Sequence, residues 1–277
     1  MKCIDCPRVC HADRDNGEIG MCGGGKYARI AKTIHSFGYE EPCLGEVTAL
    51  FFGGCSLGCT YCQNYKISRG GTGKEYDDNE LAELFDSTDL PIDLVTPSHF
   101  LGAIERAAAL TQKKHRYIYN TSGYETADSV KRASAFTDVF LTDYKYADGD
   151  IGHKFSRARD YYRVAANAMR IMRETKDEWE EVNGKRILKR GLIVRHLVLP
   201  DNVKNSIAAL DEIARTVGTD TVLSLMSQFT PNGVGEPSKR LNKIEYKIVA
   251  EHALKLGFEN GYFQDFSSAD GSYTPEF

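Results

Sequence analysis

The sequence predicts an α/β fold: an open, partial TIM-type barrel of six βα units, carrying a small cysteine-rich unit at its amino terminus. Three observations lead there. From residue 45 onward, short β-branched or aromatic runs alternate with amphipathic segments. Strand and helix pairs in succession imply parallel strands joined by right-handed crossovers. All eight cysteines lie at or before Cys62, so that residues 63–277 hold none.

The strand candidates are residues 47–52, 92–95, 117–120, 139–143, 192–197 and 222–226. The helix candidates are 78–85, 100–113, 126–136, 160–173, 206–217 and 243–256, several with apolar residues three and four apart. A closed barrel of eight units usually needs more chain, about 250 residues. Alternation alone also admits a flat doubly wound sheet. The charged run TKDEWEEVNGKRILKRG interrupts the pattern between the fourth helix and the fifth strand, and Asn183 and Gly184 supply a hairpin turn there. Three segments follow: a cysteine- and glycine-rich unit at 1–44, the barrel at 45–266, and a polar tail at 267–277.

Composition narrows the class. At 277 residues and 42% hydrophobic, the chain can bury a full core. A net charge of -4 gives no global basic field, so nucleic acid is not an expected partner. The start, MKCIDCPRVCHADRD, lacks the apolar core of a secretory signal, and no stretch reaches the length of a membrane span. A cytoplasmic protein with no membrane partner is expected. In that setting cysteines serve as metal ligands or redox groups rather than disulfides.

The chemistry is expected at the carboxyl ends of the strands, where loops converge over the barrel mouth. Cys55, Cys59 and Cys62, in FFGGCSLGCTYCQN, follow the first strand with CxxxCxxC spacing. Three thiolates at that spacing can hold three irons of a [4Fe-4S] cluster and leave the fourth iron open to chelate a small molecule. TPSH follows the second strand, NTSGYE the third, DYKY ends the fourth, RHLVLP ends the fifth and SQFTP follows the sixth.

With these motifs, and CPRVC near the start, the sequence resembles the radical S-adenosylmethionine (SAM) superfamily over almost its whole length, and looks closest to a branch related to the pyruvate formate-lyase (glycyl radical enzyme) activating enzymes. The resemblance implies SAM held by its amine and carboxylate on the open iron. One electron, from a flavodoxin- or ferredoxin-type donor, then yields a 5'-deoxyadenosyl radical that abstracts a hydrogen. The implied substrate is a glycyl loop of a partner protein; a peptide or small molecule is the alternative, and a non-catalytic iron-sulfur carrier the third reading.

The resemblance also distributes roles. It places Tyr61 beside the adenine, or else packed on the barrel rim, and gives Gln63 and Asn64 the ordering of the loop or a SAM contact. Where activating enzymes carry a GGEP-like run, this chain has Thr96, Pro97, Ser98 and His99, so Thr96 and Ser98 are the candidates for the SAM amine, with Ser98 as a helix cap the plainer reading. Asn120 and Thr121 suit ribose hydroxyls or a cation site, and Asp143 and Lys145, two apart in DYK, share a face and can both enter the mouth. Arg195 and His196 are adjacent and must face opposite ways; Arg195 suits a carboxylate. His99, His153, Tyr124, Tyr144 and Tyr146 are further mouth candidates.

The remaining thiols form a second group. Cys3, Cys6, Cys10 and Cys22 are four soft ligands suited to a closed site for zinc or a second iron-sulfur cluster. Cys43 is left over, either buried or standing in for one of the four.

Overall fold

The computed structural model describes residues 2–39, 41–69 and 71–266; the polar tail expected at 267–277 lies outside them. In chain order the elements are β1 (Ala28–Gly38), β2 (Glu46–Phe52), α1 (Tyr65–Ser68), β3 (Lys74–Tyr76), α2 (Asp78–Asp86), β4 (Ile92–Val95), α3 (Leu101–Leu110), β5 (Tyr117–Thr121), α4 (Ala127–Ala133), β6 (Val139–Asp143), α5 (Gly149–Ser156), α6 (Tyr161–Met172), β7 (Glu178–Val182), β8 (Lys185–Leu197), α7 (Val203–Val217), β9 (Val222–Met226), α8 (Lys243–Leu256) and β10 (Gly261–Phe263). One sheet runs β10-β9-β8-β6-β5-β4-β2-β1-β3, with β7 paired to β8 off that path. Every pair from β2 round to β10 is parallel. The sheet ends on β3 at one side and β10 at the other, so the barrel is open.

The six expected parallel strands are β2, β4, β5, β6, β8 and β9, and their crossover helices wrap the outside. Local sequence stops and starts these helices. Asp77 and Glu80 form a reciprocal capping box on α2, Asn242 and Glu245 another on α8, and Thr126 caps α4. The charged interruption is the β7–β8 hairpin, turned by Asn183 and Gly184 at φ 52° and 74°, the left-handed pair such a tight turn demands.

Three strands, β1, β3 and β10, and the short helices α1 and α5 go beyond the expectation. β1 pairs antiparallel with β2 and with β3, so residues 28–38, assigned by sequence to the amino-terminal unit, belong to the barrel sheet. Its burial pattern is irregular, because β-bulges shift the register between Ile30 and Lys32 and again between Ile34 and Phe37. The third is β10, which extends the parallel run by three residues beyond β9.

Strand alternation sorts the interior into two levels. Val47, Ala49, Ile118, Val139, Leu141, Ile193 and Val222 pack as an apolar floor, closed below by Cys43 and Leu44 of a short 3-10 turn (Pro42–Leu44). Above them the same inward positions become polar at Asn120, Asp143, Arg195 and Ser224, while on β4 the polar Asp93 lies level with Ala49 and Ile118. Residues one step out of phase, such as Leu94, Tyr119, Phe140, Val194 and Leu223, face the helices and are almost completely buried.

Candidate active site

The loop after β2 carries the CxxxCxxC cysteines onto the rim of a cleft. Cys55, Cys59, Tyr61, Cys62 and Asn64 line it with Thr96, Asn120, Thr121, Asp143, Lys145 and Arg195. Of the twelve expected residues around this site, only Ser98 is absent from the lining. It is buried in a 3-10 turn with its hydroxyl donated to Glu125, and it makes no cap bond to the helix that follows. Glu125 also accepts from the hydroxyl of Thr121; burial pushes its carboxyl up to about 7.

Two backbone features position the loop. Gly54, at φ 93°, brings the chain so close to the amino-terminal unit that a Cβ there would stand 2.2 Å from the carbonyl oxygen of Cys22. The Cys55 amide donates to that same carbonyl at 2.9 Å. On the far side, Asn232 donates to the carbonyls of Thr60 and Cys62 at 2.9 and 3.4 Å, and a Cβ on Gly235 would stand 2.3 Å from the Thr60 oxygen. The loop is thus held between two other segments. Arg8 strengthens the first grip, donating to the carbonyls of Ser56, Leu57, Ser156 and Arg157.

Burial raises the Cys55 thiol to about 12 and raises Cys62 as well, while the amides of Gly58 and Leu57 bond to Cys55 and that of Asn64 to Cys62. Donors aimed at sulfur favour the thiolate that a metal requires. Among the described residues no three His, Cys, Asp or Glu side chains stand close enough to grip a single ion.

Across the cleft runs a chain of polar side chains. Tyr39 donates to Asp93, Asn120 donates to Asp93 at 3.2 Å, Arg195 donates to Asn120 at 2.6 Å and to Asp143 at 3.0 Å, and Lys145 reaches Asp143 at 2.5 Å. Burial would raise the Asp143 carboxyl, but the ammonium and guanidinium together outweigh it and hold it below its usual range. At Asp93 burial outweighs the bonds from Tyr39 and Asn120 and the more distant charge of Arg195, and pushes the carboxyl up to about 6. Two of the positions read as a cation site, Asn120 and Asp143, thus hold the guanidinium of Arg195, while Thr121 turns to Glu125. Tyr61 packs edge-on to Tyr146, Phe155 and Phe229 and shares a hydroxyl bond of 2.8 Å with Tyr146. Two buried polar atoms of the lining, the Asn64 side-chain oxygen and the Thr230 hydroxyl, have no protein partner.

His196 faces away from the cleft, its Nδ1 on the Tyr144 carbonyl at 2.7 Å; burial lowers it to about 4. His99 is likewise sealed behind the wall, with Nε2 on the Gly53 carbonyl at 2.9 Å. Tyr124 bonds Asp160, Tyr144 the Tyr162 carbonyl, and Tyr146 joins Tyr61, so these three serve packing around the rim, while His153 lies on α5. Sequence reasoning missed Phe37, Tyr39 and Phe51 on the cleft wall and Asp93 behind it. A carboxylate at the centre of the buried run IDLV was the available signal for Asp93.

In the amino-terminal unit, Cys6 and Cys22 are buried and Cys3 and Cys10 half-buried. Cys43 is far from them in role: it sits in the barrel floor bonded to Tyr262, its thiol pushed up to about 11 by burial.

Comparison with known proteins places the loop in a wider setting. The profile of a family described as a 4Fe-4S single cluster domain matches residues 43–97. An uncharacterized protein of Methanocaldococcus jannaschii is 23% identical over 271 residues, covering 92% of this chain and 73% of its own. Among solved structures, methylornithine synthase (PylB) aligns with a TM-score of 0.46 at 14% identity, over 76% of this chain and 60% of its own. Streptococcus suis SuiB bound to its precursor peptide SuiA aligns with a TM-score of 0.49 at 10% identity, over 77% of this chain and 48% of its own. The chain spans about half the length of these structures. No helix among the described residues is long and apolar enough to cross a membrane.

Proposed function

We propose that this protein is a radical SAM enzyme, with a [4Fe-4S] cluster on Cys55, Cys59 and Cys62 and SAM in the adjoining cleft. The observation that carries this is a juxtaposition: three cysteines of a loop matched by a four-iron cluster family stand on the same cleft as a charged and amide-bearing wall. The donor set fits both groups. Three thiols with amide donors suit iron, and the wall offers Arg195 and Lys145 to a carboxylate, Asn120 to hydroxyls, Tyr61 and Phe229 to a flat base, and the orphaned oxygens of Asn64 and Thr230 to further donors.

Together the cluster and SAM supply reductive carbon–sulfur cleavage and hydrogen abstraction. The chain does the rest. Lys145 and Arg195 both hold Asp143 and both line the cleft, so their remaining N–H donors can take a bound carboxylate. The apolar floor and the Tyr61 aromatic cluster keep water from below, and the open side between β3 and β10 leaves room for a substrate. A glycyl loop of a partner enzyme, as the sequence suggests, or a peptide or small molecule would enter there, and a flavodoxin- or ferredoxin-type protein would supply the electron.

The test is anaerobic. Reconstituted protein with dithionite should convert SAM to 5'-deoxyadenosine and methionine, and Cys59→Ala should abolish this; turnover surviving that change would sink the assignment. Deuterium passing from a labelled substrate into 5'-deoxyadenosine identifies the substrate class.

A further inference from the structure

The amino-terminal unit repeats one local device at each of its four cysteines. The backbone amide two residues on is turned toward the sulfur: those of Asp5, Arg8 and Ala12 favour the thiolates of Cys3, Cys6 and Cys10 electrostatically, and that of Gly24 bonds the Cys22 sulfur at 3.4 Å. Each is a tight turn folded around a sulfur, and several require left-handed backbone: Val9 at φ 42°, His11 at 56° and Gly23 at 82°. A Val in that region is uncommon enough to need a cause. The turns are tied together by Cys3 N–H on the Ala12 carbonyl, His11 N–H on the Cys3 carbonyl and Val9 N–H on the Cys6 carbonyl, at 3.0, 3.1 and 3.1 Å.

Space and charge agree with this. A Cβ on Gly20 would stand 3.3 Å from the Cys22 sulfur and 3.5 Å from the Cys10 sulfur, so both sulfurs converge on the same stretch of backbone. Arg14 donates to the Cys22 sulfur at 3.3 Å and acts electrostatically on Cys3 and Cys10, while its other Nη holds the His99 carbonyl at 2.5 Å. A guanidinium beside these sulfurs favours their thiolate forms. Four thiolates around a divalent metal, or around a four-iron core of the same charge, leave the centre doubly negative, and Arg14 is placed to balance it. Cys43 lies apart from the four, packed in the barrel floor.

We propose that Cys3, Cys6, Cys10 and Cys22 hold a second, closed four-thiolate metal centre, either a zinc ion or an iron-sulfur cluster, with Arg14 as its counter-charge. Zinc requires the four sulfurs to draw in to about 2.3 Å from the ion; a cluster accepts them further apart. The centre braces the catalytic loop, because Cys22 contributes its sulfur to one and its carbonyl to the Cys55 amide of the other. This does not depend on the SAM reading.

The test uses the full chain with Cys55, Cys59 and Cys62 all replaced by Ala, purified without oxygen and supplied in separate arms with zinc and with iron plus sulfide. One zinc, or about four irons with matching sulfide, should remain per chain; adding Cys22→Ser should remove it, and Cys43→Ser should not. Arg14→Gln should keep the metal but speed its removal by a chelator at least tenfold. In the same protein, four thiols should become reactive to a thiol reagent only after chelation. A triple variant that is folded by circular dichroism yet holds under a tenth of an equivalent in both arms overturns the proposal. So do four thiols that react fully before chelation.

Discussion

Asp143 and Arg195 face each other directly across the parallel pair β6 and β8, in register, and join through Nε at 3.0 Å. Because Lys145 holds the other oxygen of the same carboxylate, Asp143 keeps a partner when Arg195 is removed. The loss should therefore fall on ligand binding more than on folding. Arg195→Met should weaken SAM binding by roughly tenfold to a hundredfold, the worth of about 1.5 to 3 kcal/mol for a charge-assisted bond. Arg195→Lys should restore part of it in equilibrium binding.

Asp93 is the buried carboxyl on the other end of the polar chain, raised from 3.8 to about 6. A raised folded value means the native state holds its proton more tightly than the unfolded chain, so this contribution is present below pH 4 and lost as pH rises through about 6. Asp93→Asn should then gain up to about 3 kcal/mol over wild type above pH 6, and nothing at pH 4. Urea unfolding of both proteins at the two pH values measures it; an equal difference at each would exclude titration as the cause.

His196 works in the opposite sense. Burial lowers it to about 4 from 6.5, so its contribution is intact above pH 6.5 and disappears as pH falls toward 4. His196→Asn should lessen the acid sensitivity of wild type by about 3 kcal/mol across that window. The readout is the slope of unfolding free energy against pH.

Gly54 tests the contact between the two cysteine groups. Ala there meets the Cys22 carbonyl at 2.2 Å in a left-handed conformation, and the loop must move. Gly54→Ala should cost about 2 kcal/mol or more and release most of the iron bound by Cys55, Cys59 and Cys62, as seen in iron content after gel filtration.

Much of this was legible in the chain because the barrel strands are short, apolar and sharply bounded. Residues 92–95, 139–143 and 222–226 were placed to the residue; period-two alternation set Arg195 and His196 on opposite faces, and the fit of a guanidinium to a carboxylate put Arg195 on the cleft. Alternation failed at β1, whose bulges break the period and whose half-exposed face mixes Lys32, Thr33 and His35 with Ile30 and Ile34. Ser98 was misassigned for a different reason. Its partner Glu125 lies 27 positions away, and only the packing of the turn after β4 against the loop after β5 brings them together. Tyr39 was invisible for the same reason, since its bond to Asp93 spans 54 positions.

The grip of Arg8 on Ser156 and Arg157 has a consequence for how the protein is made. All eight thiols leave the ribosome by residue 62, but the carbonyls that seat the amino-terminal unit come almost a hundred residues later. At about 5 to 20 residues per second, the nascent chain carries its thiols bare for roughly 5 to 20 s. During that interval Arg8 has only the carbonyls of Ser56 and Leu57 to hold, so the two cysteine segments can meet each other before the barrel fixes either.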